Sequence, residues 1–222
     1  GAFAADGERH GVFWAEGERL LRALPPKPRR DARSAAVAGL ILGLARQSHE
    51  RFLYAHAERI YDDLTDRGAR FVRLDDLTYR AATAVPGLVP TRAAVTAEGA
   101  LDQRDKDGAE IDQGIFLAHV LAGERTGTHL CHAMLSPRPG SAEAAAKFAA
   151  DGVLDLGPAR LERRGRAVHL TAGNPRALNA EDDTTLDAME IAVDVAILDP
   201  MSDIAVLRGD TVEHPKYQIG RA

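Results

Sequence analysis

Residues 159–171 read Ala159-Arg160-Leu161-Glu162-Arg163-Arg164-Gly165-Arg166-Ala167-Val168-His169-Leu170-Thr171, and this stretch decides the fold. Apolar and polar residues alternate on both sides of Arg164-Gly165-Arg166, the pattern of two half-buried strands joined by a hairpin turn. Upstream, from Glu8 to about Leu156, the period is helical, with proline and glycine at the joints Leu24-Pro25-Pro26-Lys27-Pro28, Val85-Pro86-Gly87 and Pro137-Arg138-Pro139-Gly140. Val37, Leu40, Ile41 and Leu44 form one apolar stripe, which Phe52, Ile60 and Leu64 continue down a long helix. Ile111, Ile115, Phe116, His119 and Val120 begin another, and Ser141, Glu143 and the alanine run to Ala150 read as a capped helix of high propensity.

Downstream of the hairpin, Asn179 is expected to cap a helix through about Leu198, with Leu186, Met189, Val193 and Ile197 as its buried stripe and Asp199-Pro200 as its stop. Ile204-Ala205-Val206-Leu207-Arg208-Gly209 is a short apolar run suited to a buried parallel strand. Hairpin, helix and strand in that order open an α/β layered domain. The expected organisation is therefore a helical N-terminal domain over residues 1–156 and the first part of an α/β domain over residues 157–222.

The 222 residues leave room for one large or two small domains, and 45% hydrophobic with 27% charged residues is an ordinary globular composition. A formal net charge of -5 with no clustered basic surface argues against nucleic acid or an anionic membrane as partner. Cys131 is the single cysteine, so no intrachain disulfide forms. The N-terminus Gly1-Ala2-Phe3-Ala4-Ala5-Asp6 lacks the features of a secretory signal, and no apolar segment approaches the ~20 residues of a membrane span. The expectation is a cytoplasmic protein, and the absence of an initial Met points to residues upstream of Gly1.

The order Val168-His169-Leu170, Gly173-Asn174-Pro175-Arg176-Ala177-Leu178-Asn179-Ala180, acidic helix, Asp199-Pro200 and strand Ile204–Leu207 resembles the first third of the crotonase (enoyl-CoA hydratase/isomerase) superfamily. That family usually writes the turn as Asn-Arg-Pro-x-Ala-Leu-Asn-Ala, so Gly173-Asn174-Pro175 is a small departure. Within the superfamily the chain is most similar to a branch of cofactor-independent dioxygenases acting on 3,5-dihydroxyphenylacetyl-CoA in the dihydroxyphenylglycine pathway of glycopeptide antibiotic biosynthesis. Glu110-Ile111-Asp112-Gln113-Gly114, Gly127-Thr128-His129-Leu130, His132-Ala133-Met134-Leu135, Glu181-Asp182-Asp183 and His214-Pro215-Lys216-Tyr217 carry that resemblance, as does the long helical extension that ordinary hydratases lack.

The resemblance implies an acyl-CoA substrate, O2 as co-substrate, no metal or other cofactor, and a homo-oligomer, trimer or hexamer. It implies that Arg176, Ala177 and Leu178 lie along the CoA, with main-chain groups meeting its adenine and pantetheine portion and the basic side chain near phosphate. His214, Lys216 and Tyr217 fall where the superfamily leads into its CoA-binding, oxyanion-hole loop, and Lys216 suits a phosphate as a compact point charge. Glu181 corresponds to the acid associated with the ring hydroxyls, and a carboxylate accepts hydrogen bonds from phenols. The oxyanion-hole amides, which stabilise charge developing on a thioester oxygen, are expected beyond Ala222, so the chain reads as part of a longer enzyme.

The residues alone also allow plainer readings. Arg176 and Lys216 suit solvated loops, and Glu181, Asp182 and Asp183 complement a helix dipole. His129, Cys131 and His132 are three ligand types within four residues without a distant partner cluster, so core packing is favoured over zinc. His119 reads as a hydrogen-bonded core residue, and no basic partner can be assigned to Cys131 as a nucleophile. The alternatives for function are another crotonase-like acyl-CoA hydratase or hydrolase, or a non-catalytic helical oligomerisation module.

Overall fold

A computed structural model describes residues 2–213, which fall into two compact units that divide between Ser136 and Pro137. The first is all helical: α1 (Ala2–Arg22), α2 (Ala32–Thr65), α3 (Leu74–Ala84), α4 (Arg92–Gly99), α5 (Glu110–Ala122) and α6 (Glu124–Met134). Asp31 starts α2 by accepting the Ser34 N–H at 2.7 Å, satisfying one of the donors a helix start leaves open. The second half of α2 buries Phe52, Leu53, Ile60 and Tyr61 with Leu77 of α3, Phe116 and Val120 of α5 and Leu130 of α6. Trp14 of α1 joins this core, packed against Phe52 and His49 and donating its indole N–H to Ser48 at 3.0 Å. At the α5–α6 seam a Cβ on Gly127 would sit 2.5 Å from the Leu121 carbonyl oxygen, so only glycine permits this approach. No helix among the described residues is long and apolar enough to cross a membrane.

The second unit runs α7 (Ser141–Asp151), β1 (Val153–Asp155), β2 (Ala159–Arg164), β3 (Ala167–Ala172), α8 (Leu186–Leu198) and β4 (Ile204–Gly209). The sheet order is β1-β2-β3-β4, with the first two pairings antiparallel and β3 to β4 parallel. The expected hairpin closes with Arg164 opposite Ala167, leaving Gly165 and Arg166 as a two-residue turn in which Gly165 takes φ +63°. Leu161 faces Leu170 across it. With Val168 they pack under Phe148 of α7 and Met189, Ala192 and Val195 of α8, so both helices cover one face of the sheet.

A helical region followed by an α/β layer is the architecture expected, with several corrections of detail. The compact units divide at Ser136 and Pro137, ahead of the 156/157 border, because α7 packs on α8 and β1 and thus belongs with the sheet. Strand β1 was not expected; three residues are too few to display a period. Helix α8 starts at Leu186 and Asn179 does not cap it: Asn179 takes a left-handed φ of +64° rather than the extended backbone of an N-cap, and its side-chain oxygen accepts from Asn174 N instead of a helix N–H. Its buried face is Met189, Ala192 and Val195, while Leu186, Val193 and Ile197 are exposed.

Strand β4 is parallel as expected, yet exposed from Ile204 to Arg208, since among the described residues it stands at the end of the sheet; an apolar run cannot tell an edge from a centre. Ser141 does not cap α7. It is the first helical residue, and its buried hydroxyl donates to Asp194 at 2.6 Å. Val37, Leu40 and Leu44 remain exposed on α2 because periodicity marks a face, not a neighbour to cover it.

One ion pair ties the layers of the second unit. The Arg163 guanidinium on β2 donates from Nε and Nη2 to the two oxygens of Asp199 at 2.9 and 2.7 Å, and from Nη2 to the Phe148 carbonyl at 3.0 Å. It also stands over the Phe148 ring at 4.8 Å. The Asp199 side chain is 0% exposed. Burial pushes its carboxyl up, but the bonds from Arg163 and Ser202 outweigh this and hold it below the usual range. The stability it contributes is fully present above the ordinary carboxylate value of about 3.9 and is lost as pH falls through the lower folded value. Replacing Arg163→Met leaves that carboxylate buried and unpaired, and should lower stability by roughly 3–5 kcal/mol in urea unfolding at neutral pH.

Candidate functional site

The chain leaves β3 through Gly173, whose N–H bonds to the Pro158 carbonyl at 2.7 Å, and enters a tight turn. Pro175–Ala177 is a single 3-10 turn with proline at its start, where a missing N–H costs nothing. The Asn174 carbonyl accepts from Ala177 N at 3.0 Å and Asn179 N at 2.8 Å. Two asparagine side chains complete the enclosure. Asn179 Oδ1 accepts from Asn174 N at 2.9 Å, while Asn174 Nδ2 donates to the Ala180 carbonyl at 2.9 Å and to Asp182 Oδ2 at 2.8 Å.

This places Arg176 exposed on the turn, with Ala177 and Leu178 half-buried behind it, and Glu181 exposed just beyond. Asp182 does more than decorate a helix start, since its Oδ1 accepts the N–H and hydroxyl of Thr184 at 2.9 and 2.6 Å. The Thr184 hydroxyl first, then the Asn174 amide, hold the Asp182 carboxyl below its ordinary range.

The turn is fastened to the end of β4. Asn179 Nδ2 donates to the Asp210 carbonyl at 2.6 Å, and Asp210 N donates to the Ala172 carbonyl at 2.7 Å. The Asp210 carboxylate pairs with Arg160. The structure thus sets Arg176, Ala177, Leu178 and Glu181 on one turn beside the strand end that leads toward position 214. His214, Lys216 and Tyr217 lie outside the described residues.

On the sheet face opposite the helices, Arg160, Glu162, His169, Thr171 and Arg208 line an open groove of about 700 Å³ that reaches Asp210 and Thr211. Arg208 Nε donates to the Thr171 hydroxyl at 3.1 Å. Sequence reasoning did not name this group, although alternate positions on β2, β3 and β4 were the available signal.

In the helical unit His129 is half-buried. Its Nε2–H donates to the Gly68 carbonyl at 3.0 Å, which leaves Nδ1 to accept the Tyr61 hydroxyl at 2.7 Å. Burial raises the Tyr61 phenol. Cys131 and His132 are exposed rather than packed in the core as expected, because they fall on the outer face of α6. His119 is half-buried and bonds Glu50 at 2.6 Å. These three histidines and Arg125 border a second groove of about 760 Å³. Among the described residues, no three His, Cys, Asp or Glu converge as a metal-holding group.

No protein-family model matches the chain. The chain is similar to a protein named (3,5-dihydroxyphenyl)acetyl-CoA 1,2-dioxygenase from Amycolatopsis orientalis, with 43% identity over 200 residues, 90% of this chain. It spans 46% of that relative's length.

Replacing Thr184→Val removes the foremost cause of the low Asp182 titration. The Asp182 carboxyl should then titrate closer to the ordinary aspartate value, as read from its carbon chemical shift across an acid pH series.

Proposed function

We propose that the chain carries the helical region and the opening α/β layer of a crotonase-type dioxygenase that converts 3,5-dihydroxyphenylacetyl-CoA and O2 into 3,5-dihydroxyphenylglyoxylate and free CoA. The single observation that carries this reading is the 43% identity, spread over nine-tenths of the chain, to a relative named for that substrate. The chemistry asks little of a cofactor. Loss of a proton from the α-carbon gives a thioester enolate, delocalised into the dihydroxyphenyl ring and electron-rich enough to react directly with O2. Both oxygen atoms enter the arylglyoxylate, and CoA leaves as the thiol.

In this reading the turn at Arg176, Ala177 and Leu178 lies along the CoA, with its main chain toward the adenine and pantetheine and the Arg176 guanidinium toward phosphate. The left-handed geometry at Leu178 and Asn179 and the asparagine bonds support it, since backbone held in an unfavourable conformation is characteristic of ligand clamps. His214, Lys216 and Tyr217 contribute the second CoA segment, Lys216 as a phosphate partner. Glu181 accepts hydrogen bonds from the ring hydroxyls and fixes the aryl group. The protein works without metal, flavin or haem, as a trimer or hexamer in the cytoplasm, in dihydroxyphenylglycine biosynthesis.

The test is incubation of the protein at its full native length with 3,5-dihydroxyphenylacetyl-CoA, with and without O2 and with no cofactor added. CoA release that requires O2 and yields arylglyoxylate is the expected result. Release without O2 marks a hydrolase instead, and no turnover marks a non-catalytic module. The Glu181→Gln variant should lower kcat/KM by about 10- to 100-fold, the loss of charge-assisted bonds to the ring hydroxyls.

A further inference from the structure

We infer that Asn179 is a positioning residue that holds the CoA-contacting Arg176–Leu178 turn in register with the end of β4 through its side-chain amide. The inference rests on the CoA reading above and adds to it a residue that itself need not touch the ligand.

Both ends of the Asn179 amide are used, and they point to different parts of the unit. Oδ1 accepts from Asn174 N at 2.9 Å and closes the turn on itself, while Nδ2 donates to the Asp210 carbonyl at 2.6 Å, across 31 positions of sequence. Asp210 is held in turn by Ala172 at the end of β3, so the strand ends and the turn form one hydrogen-bonded unit. The backbone is arranged to allow this. Leu178 and Asn179 are consecutive left-handed residues, and asparagine is among the few side chains that adopt this conformation readily. Were the backbone conformation the only need, glycine would serve better. Asparagine is used where a left-handed turn must also send a donor to one neighbour and an acceptor to another. Asn174 makes the complementary bonds to Ala180 and Asp182, which fixes the far side of the turn and leaves Asn179 as the link to β4.

Two variants separate positioning from backbone geometry. Asn179→Gly keeps, and eases, the left-handed conformation while removing both side-chain bonds. Asn179→Asp keeps the acceptor toward Asn174 but faces the Asp210 carbonyl with a carboxylate oxygen. On the protein at its full native length, the affinity for coenzyme A is read by titration calorimetry, KM and kcat are read with 3,5-dihydroxyphenylacetyl-CoA, and Tm by thermal melting. Both variants should raise the Kd for coenzyme A and the KM about tenfold while kcat stays within about twofold, since a misplaced turn weakens ground state and transition state alike. A wild-type Kd and KM in Asn179→Gly overturn the inference and leave the CoA reading intact. Wild-type protein that does not bind coenzyme A overturns both. Should Asn179→Gly melt early, Asn179→Asp decides by the same criterion, and a uniform fall in Tm and kcat without a change in Kd also counts against positioning.

Discussion

The guanidinium of Arg163 is the point at which the second unit is held together. It reaches from β2 to the carboxylate that follows α8 and to the last carbonyls of α7, with Phe148 beneath its plane. Three separate elements therefore meet at one planar group. A hydrophobic layer alone would let α7 and α8 slide over the sheet, because apolar packing has little directional preference. The bidentate pair adds direction.

What the fold delivers to the candidate site is a turn whose shape depends on side-chain amides more than on the backbone ladder. Between Ala172 and Leu186 there is one 3-10 turn and no strand or α-helix, yet Asn174, Asn179, Asp182 and Thr184 each bond the chain near them. Such a segment presents backbone groups and an arginine to solvent while remaining ordered by its own polar contacts. The open face of the sheet alongside it carries charges of both signs, which suits a partner or ligand with several polar groups better than a simple anion.

Much of the second unit was legible because its hairpin states itself locally: both strands alternate, and glycine sits where a left-handed residue is needed. The start of α8 was not legible for the opposite reason. Asn179, Asp182, Asp183, Thr184 and Thr185 are all good N-cap residues, so the pattern offers several starts. Asn179 is taken out of that competition by its bonds to Asn174 and to the Asp210 carbonyl, a distant partner no local rule can see. The exposure of β4 and of the Val37, Leu40 and Leu44 stripe was equally hidden, because hydrophobic period reports which residues share a face and not what lies against it. Of the site, the turn and Glu181 came from family resemblance, whereas the Arg160, His169 and Arg208 grouping required the strand register.

The location of Trp14 has an optical consequence. It is the sole tryptophan of the chain, and it lies inside the helical core between Phe52, His49 and Ser48. Residues 137–222 contain none. Indole emission is thus a private reporter of the helical unit, silent about the α/β layer. Followed beside far-ultraviolet circular dichroism, which sees both, it resolves whether the two units melt together or in sequence without any engineered label.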